Sequence, residues 1–163
     1  MRTIATLLVL GLAACGCAAA APDPIEPEGA ALELGTGTWR FEPVEDGDEV
    51  PMIHGAQGGW HLWVAVRTDG MESRTGRLEI ELQPADESSP PQTTSLGVQL
   101  DPPDAEGRMS YLGWPAILPD PACATGTMQR IRATFTTSSG ERVTSERYVI
   151  AGAGESPPPA CTR

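Results

Sequence analysis

Lysine and asparagine are absent from this 163-residue chain, and it has only two histidines. All 11 basic side chains are therefore arginine, against 22 acidic ones, for a formal net charge of −11. Lysine and asparagine codons are AT-rich, so their joint absence points to a GC-rich bacterial genome, and a chain without asparagine has no N-glycosylation sequon. Such an acidic surface repels phosphate backbones and anionic head groups; it excludes nucleic acid as a partner and favours solubility. G-x-S-x-G, HExxH, Walker and dinucleotide fingerprints are missing too, and no carboxylate pair stands in an apolar setting that would raise its pKa. The reading is a protein that is not an enzyme and uses no cofactor. Long helical patterns are also lacking, because no segment keeps a 3.6-residue apolar period for about ten residues.

Long hydrophobic runs are limited to the start of the chain. Met1-Arg2 supplies a positive charge, Ile4 to Leu12 is almost wholly apolar, and Leu12-Ala13-Ala14-Cys15 ends in small residues before a cysteine. That order looks like a lipoprotein signal, residues 1–14, with Cys15 as the lipidated new N-terminus. A transmembrane helix needs roughly 20 apolar residues, and this run is too short. Ordinary secretory cleavage near Ala18-Ala19-Ala20 is the competing reading. Cys17 is a poor acylation site, since Ala14-Cys15-Gly16 lacks the aliphatic residue that Leu12 provides for Cys15. By the enteric sorting rule, Gly16 rather than aspartate after Cys15 directs a lipoprotein to the outer membrane of a Gram-negative cell. Two or three acyl chains would hold it there firmly.

Residues 15–30 are rich in Ala, Pro and acids and have no periodicity, which predicts a disordered tether. Extended, it lifts the following domain roughly 40 Å off the bilayer. From 31 to 152 the apolar period is two. Arg77-Leu78-Glu79-Ile80-Glu81-Leu82-Gln83 alternates throughout, and Leu62-Val64-Val66, Leu96-Val98-Leu100, Ile131-Ala133-Phe135 and the β-branched run ending at Tyr148-Val149-Ile150 repeat the pattern. Turn signals at Asp46-Gly47, Gly58-Gly59, Asp69-Gly70, Pro90-Pro91, Pro102-Pro103, Pro119-Asp120-Pro121 and Ser138-Ser139-Gly140 separate these runs. The expectation is an all-β domain, an immunoglobulin-like two-sheet antiparallel sandwich, with a small barrel as the alternative.

With Cys15 lipidated in an oxidising compartment, Cys123 and Cys161 are the plausible disulfide. They flank a hairpin with strands from about 127 to 137 and from about 142 to 151, and Ser156-Pro157-Pro158-Pro159-Ala160 lets Cys161 reach back. The bridge would clamp the tail, residues 153–163. Cys17 is left without a partner.

Val50 to Arg67, VPMIHGAQGGWHLWVAVR, is the segment that reads as more than scaffold. Gly58-Gly59 permits positive φ in a tight connection, and Gln57 can hydrogen-bond loop backbone. With a loop of residues 56–59, Gly55 pairs with Trp60 and His54 lies across from His61. Two facing imidazoles could take Zn²⁺ or Cu²⁺, with Met52 or a carboxylate completing the set. The plainer reading is a structural turn, with His61 hydrogen-bonded to neighbouring strands and sharing a face with Trp63. A blue-copper site is disfavoured, since Cys123 is followed by Met128 but by no histidine. Here the sequence resembles uncharacterised bacterial lipoproteins of myxobacterial type, which carry G-x-Q-G-G-x-H after a strand. Gly55, Gln57, Gly58, Gly59 and His61 match. The resemblance covers this segment, the lipobox and a general all-β body, and it implies no activity.

Two further features complete the reading. Glu45-Asp46-Gly47-Asp48-Glu49 lacks the spaced order of a calcium loop and reads as a solvated hairpin turn. Trp39, Trp60, Trp63 and Trp114 could form an aromatic surface for sugars or peptides, though in a domain with few aromatics the core has first claim on them. Together these observations predict a membrane-anchored envelope lipoprotein with a non-catalytic binding or adhesion domain, whose partners are the membrane, through its lipid, and an envelope protein or glycan. A periplasmic Zn/Cu module using His54 and His61, and a hydrolase with no recognisable motif, are the alternatives.

Overall fold

The computed structural model describes residues 29–162; the lipobox with Cys15, Cys17 and all but the end of the tether lie outside the described residues. The strands begin at Ala31 and end at Gly152. They are β1 (Ala31–Thr36), β2 (Glu42–Pro43), β3 (Glu49–His54), β4 (Trp60–Asp69), β5 (Thr75–Pro84), β6 (Gln92–Gln99), β7 (Met109–Leu118), β8 (Met128–Thr137) and β9 (Arg142–Gly152), with a single turn of helix, α1 (Pro121–Ala124), before β8. The turn signals read from the sequence fall between strands, except that Asp69 is the last residue of β4. Among the described residues no helix is long and apolar enough to cross a membrane.

The all-β class is what the alternation predicted, and β5 illustrates why. Leu78, Ile80 and Leu82 are buried while Arg77, Glu79 and Glu81 stand on the other face, so the pleat itself separates apolar from charged groups. The strands form one hydrogen-bonded path, β2-β1-β4-β3-β9-β8-β5-β6, with β7 on β4. The path is a curled, mixed sheet, because β3 pairs antiparallel with β4 from Met52 to His54 and parallel with β9 from Glu49 to Pro51. That crossover strand bends the sheet over a core to which both halves contribute, among them Leu34, Met52, Leu62, Val64 and Trp114 from one side and Leu78, Ile80, Ile131, Phe135 and Val149 from the other.

The acidic turn before β3 is part of this crossover. Asp46 accepts a hydrogen bond from the Tyr148 backbone N–H at 2.9 Å, and the Gly47 N–H donates to the Tyr148 carbonyl at 2.7 Å. The segment read as a solvated hairpin turn thus docks on β9 and guides β3 into the parallel pairing. At the other end of the chain, the Cys123–Cys161 disulfide is present with a Cα–Cα separation of 4.7 Å. On the way to it, the tail passes Trp60, whose indole N–H donates to the Ser156 carbonyl at 2.8 Å.

Candidate functional site

The β3–β4 connection carries the G-x-Q-G-G-x-H residues. Gly58 N–H donates to the Gly55 carbonyl at 2.9 Å and Gly55 N–H to the Gly59 carbonyl at 3.0 Å, closing a turn over Ala56 and Gln57. Gly58 and Gly59 both adopt positive φ, 86° and 81°, which is where glycine is favoured. Gly55 therefore belongs to the loop, and the register differs by one from the expected one: His54 pairs with Trp60, and Ile53 with His61. Opposed residues share a face and successive ones alternate, so a one-residue change puts the two histidines on opposite faces of the sheet. The expected facing imidazoles are not formed, and Met52, buried on the core side, cannot complete a set with both. Among the described residues no group of three His, Cys, Asp or Glu side chains is placed to hold a metal ion.

Each histidine instead has an aromatic neighbour. His54 lies against Trp60 with ring centroids 4.5 Å apart, and His61 meets Trp63 edge-on at 4.3 Å. His61 is only 7% exposed. Its cross-strand neighbours are apolar, Ile53 on β3 and Ile117 on β7, and its Nε2 has no hydrogen-bond partner. Burial holds its pKa below the ordinary 6.5, because the charged form would lose its hydration with nothing to replace it. The hydrogen bond to a neighbouring strand expected of His61 is thus not made, while the shared face with Trp63 is.

The four tryptophans separate into different roles. Trp114 is buried in the core, and Trp60 and Trp63 are half-buried. Trp39 is 95% exposed. It sits in the loop between β1 and β2, and that loop is braced on both sides. Gly37 accepts a hydrogen bond from the Gly113 N–H of β7 at 3.0 Å. Beyond Trp39, Arg40 pairs with Glu42 at 2.8 Å. Phe41 lies 4.3 Å under the Arg67 guanidinium, itself held by Glu33. Composition argued for Trp39 as core; the local signal for its exposure is its setting, Gly35-Thr36-Gly37-Thr38-Trp39-Arg40, which has no apolar alternation.

A concave feature lies beside the disulfide. A cavity of about 630 Å³ is lined by Leu82, Pro84, Leu118, Ala124 and Met128, with Asp86 and Asp120 at its wall. Its volume falls in the range of small-molecule sites. Asp120 caps α1, accepting from the Cys123 N–H at 3.3 Å, and Asp86 accepts from the Ser88 N–H at 3.0 Å. Sequence reading did not find this cavity, since its walls come from β5, β7, α1 and β8, which are distant in the chain. No protein family and no curated protein matches this chain.

Proposed function

We propose that this chain is a lipoprotein of the cell envelope, anchored through Cys15, whose β domain is a non-catalytic binding or adhesion module for an envelope protein or glycan. The Met1–Cys15 signal supports the anchor, and Gly16 supports the outer membrane as the destination. The same lipobox and the G-x-Q-G-G-x-H loop support kinship with lipoproteins of myxobacterial type. An immunoglobulin-like sandwich is the finer description of the fold we favour. Its support is the pairing of β1 and β3 with β4 and β7 on one side and the order β9-β8-β5-β6 on the other, with β3 shared between them.

The observation that carries the binding reading is Trp39. A tryptophan buries 150–250 Å² when covered, so leaving one bare forgoes a large hydrophobic gain. Here it is held out by a braced loop, and an ordered, exposed aromatic is what a binding surface uses as its anchor. The test is recovery of envelope protein or glycan on the immobilised chain, compared with Trp39→Ala. We expect recovery to fall by about tenfold or more, the loss of a hot-spot residue; equal recovery refutes the reading. Anchoring is tested separately by mass spectrometry of the mature N-terminus. Cys15→Ala should leave the protein unacylated and released from the membrane fraction.

A further inference from the structure

β6 closes the path of paired strands, and among the described residues it pairs only with β5. Its eight residues, Gln92-Thr93-Thr94-Ser95-Leu96-Gly97-Val98-Gln99, contain no charge and no proline. Natural edge strands are usually kept from pairing further by charged side chains, proline, bulges or shortness, and β6 has none of these. Leu96 lies in register with buried Leu78 yet is 53% exposed, because it stands at the margin of the core. In a chain of net charge −11, an uncharged edge is also where two copies can approach with the least like-charge repulsion.

We propose that β6 is the interface of a homodimer, in which two copies pair edge to edge, antiparallel, about a two-fold axis at Ser95. This goes beyond the Trp39 reading and does not depend on it. In this register the charges of β5 form two symmetric opposite-charge rows, Arg77 with the partner's Glu81, against one like-charge row, Glu79 with the partner's Glu79. Opposed residues share a face, so Arg77, Glu79 and Glu81 lie on the side of Gly97, Ser95 and Thr93. With Ser95 opposite the partner's Ser95, the row across the join reads Arg77, Gly97, the partner's Thr93, the partner's Glu81. Two-fold symmetry repeats the row in reverse, as an isologous interface requires. The ends of the row are three strand spacings, about 14 Å, apart. Arg77 already leans over β6, donating to the Ser95 hydroxyl at 2.9 Å. Gly97 has open space where a β-carbon would stand, so the path toward the partner's Glu81 is clear. On the opposite face Leu96 comes to lie beside the partner's Thr94, which continues the apolar row.

The test is sedimentation of the full chain in excess detergent micelles over a concentration series. The wild type should reach twice the mass found in denaturant, and Leu96→Lys should be monomeric throughout, with thermal unfolding that matches the wild type's at dilutions where the wild type is also monomeric. Arg77→Glu should weaken the dimer by about tenfold by turning both opposite-charge rows into like-charge ones, and the double variant Arg77→Glu/Glu81→Arg should restore it. A monomeric wild type at its highest soluble concentration overturns the proposal. So does a dimer indifferent to Leu96→Lys, which places the interface elsewhere, or a failure of the double variant to restore association, which refutes the register.

Discussion

Two strands at margins of this sheet, β6 and β7, are treated by the chain in opposite ways. β7 carries Pro115 in its interior, opposite Trp63, and one extra residue opposite Ala65, where Leu112-Gly113 bulges between the pairs Trp114–Val64 and Tyr111–Val66. The bulge frees the Gly113 N–H from the ladder, and the Gly37 carbonyl takes it. The disulfide of α1, immediately after β7, then ties that side of the molecule to the tail. β6 has no proline, charge or bulge, and no second element is stapled to it. Guarding an edge therefore depends on specific local devices, and where they are missing a strand remains a template for pairing.

Removing the staple on the β7 side should have the largest effect. Cys123→Ala opens a loop spanning 38 residues and should lower unfolding free energy by about 4 kcal/mol in the chain-entropy picture; denaturant unfolding, compared with and without reductant, measures it. Gly113→Val comes next. Gly113 has φ of 68° with Thr38 3.5 Å from where its β-carbon would stand, and a β-branched residue there should cost about 2 kcal/mol. Thermal denaturation checks it, and Gly97→Val on β6, with open space around it, is the matched control with little loss.

His61, next to β7 through Ile117, gives the comparison a pH dependence. Its folded pKa lies below 6.5 because of burial, so the unfolded chain takes up the proton first as pH falls. The neutral imidazole costs no stability above 6.5, and stability is lost as pH drops from there through the lower folded value. His61→Leu should unfold with a shallower pH dependence across that window. The smallest effect belongs to the bare side: Leu96→Lys and Trp39→Ala should each leave the unfolding free energy of the dilute, monomeric protein within about 0.5 kcal/mol, a result that circular dichroism melts can check.

How much of this was legible in the sequence varied with the source of each constraint. Alternation revealed β5 and β8, and the turn signals between them, because one buried face and one wet face impose a period of two on any half-buried strand. β7 escaped, although Leu112, Trp114, Ala116 and Leu118 alternate, since Gly113 and Pro115 are residues that a strand interior disfavours and here they serve as edge protection. β1 was too short and too glycine-interrupted to register. The cysteine pair was readable because a hairpin lies between its members. The His54–His61 pairing failed on a single hydrogen bond, Gly58 to Gly55, that drew Gly55 out of the strand and shifted the register by one.

What the sequence by itself determined is the local pleat: which residues alternate, where the chain turns, that Cys123 and Cys161 can meet, and that an acidic, proline-rich segment precedes the domain. These follow from short-range sterics and from the period that burial imposes. Only the tertiary structure decided which face each histidine takes, which tryptophan is bare, that β3 passes from β4 to β9, and which edge is left open. Those outcomes depend on pairing between segments tens of residues apart. There a one-residue difference in loop length reverses a face, and burial comes from neighbours that the local sequence does not name.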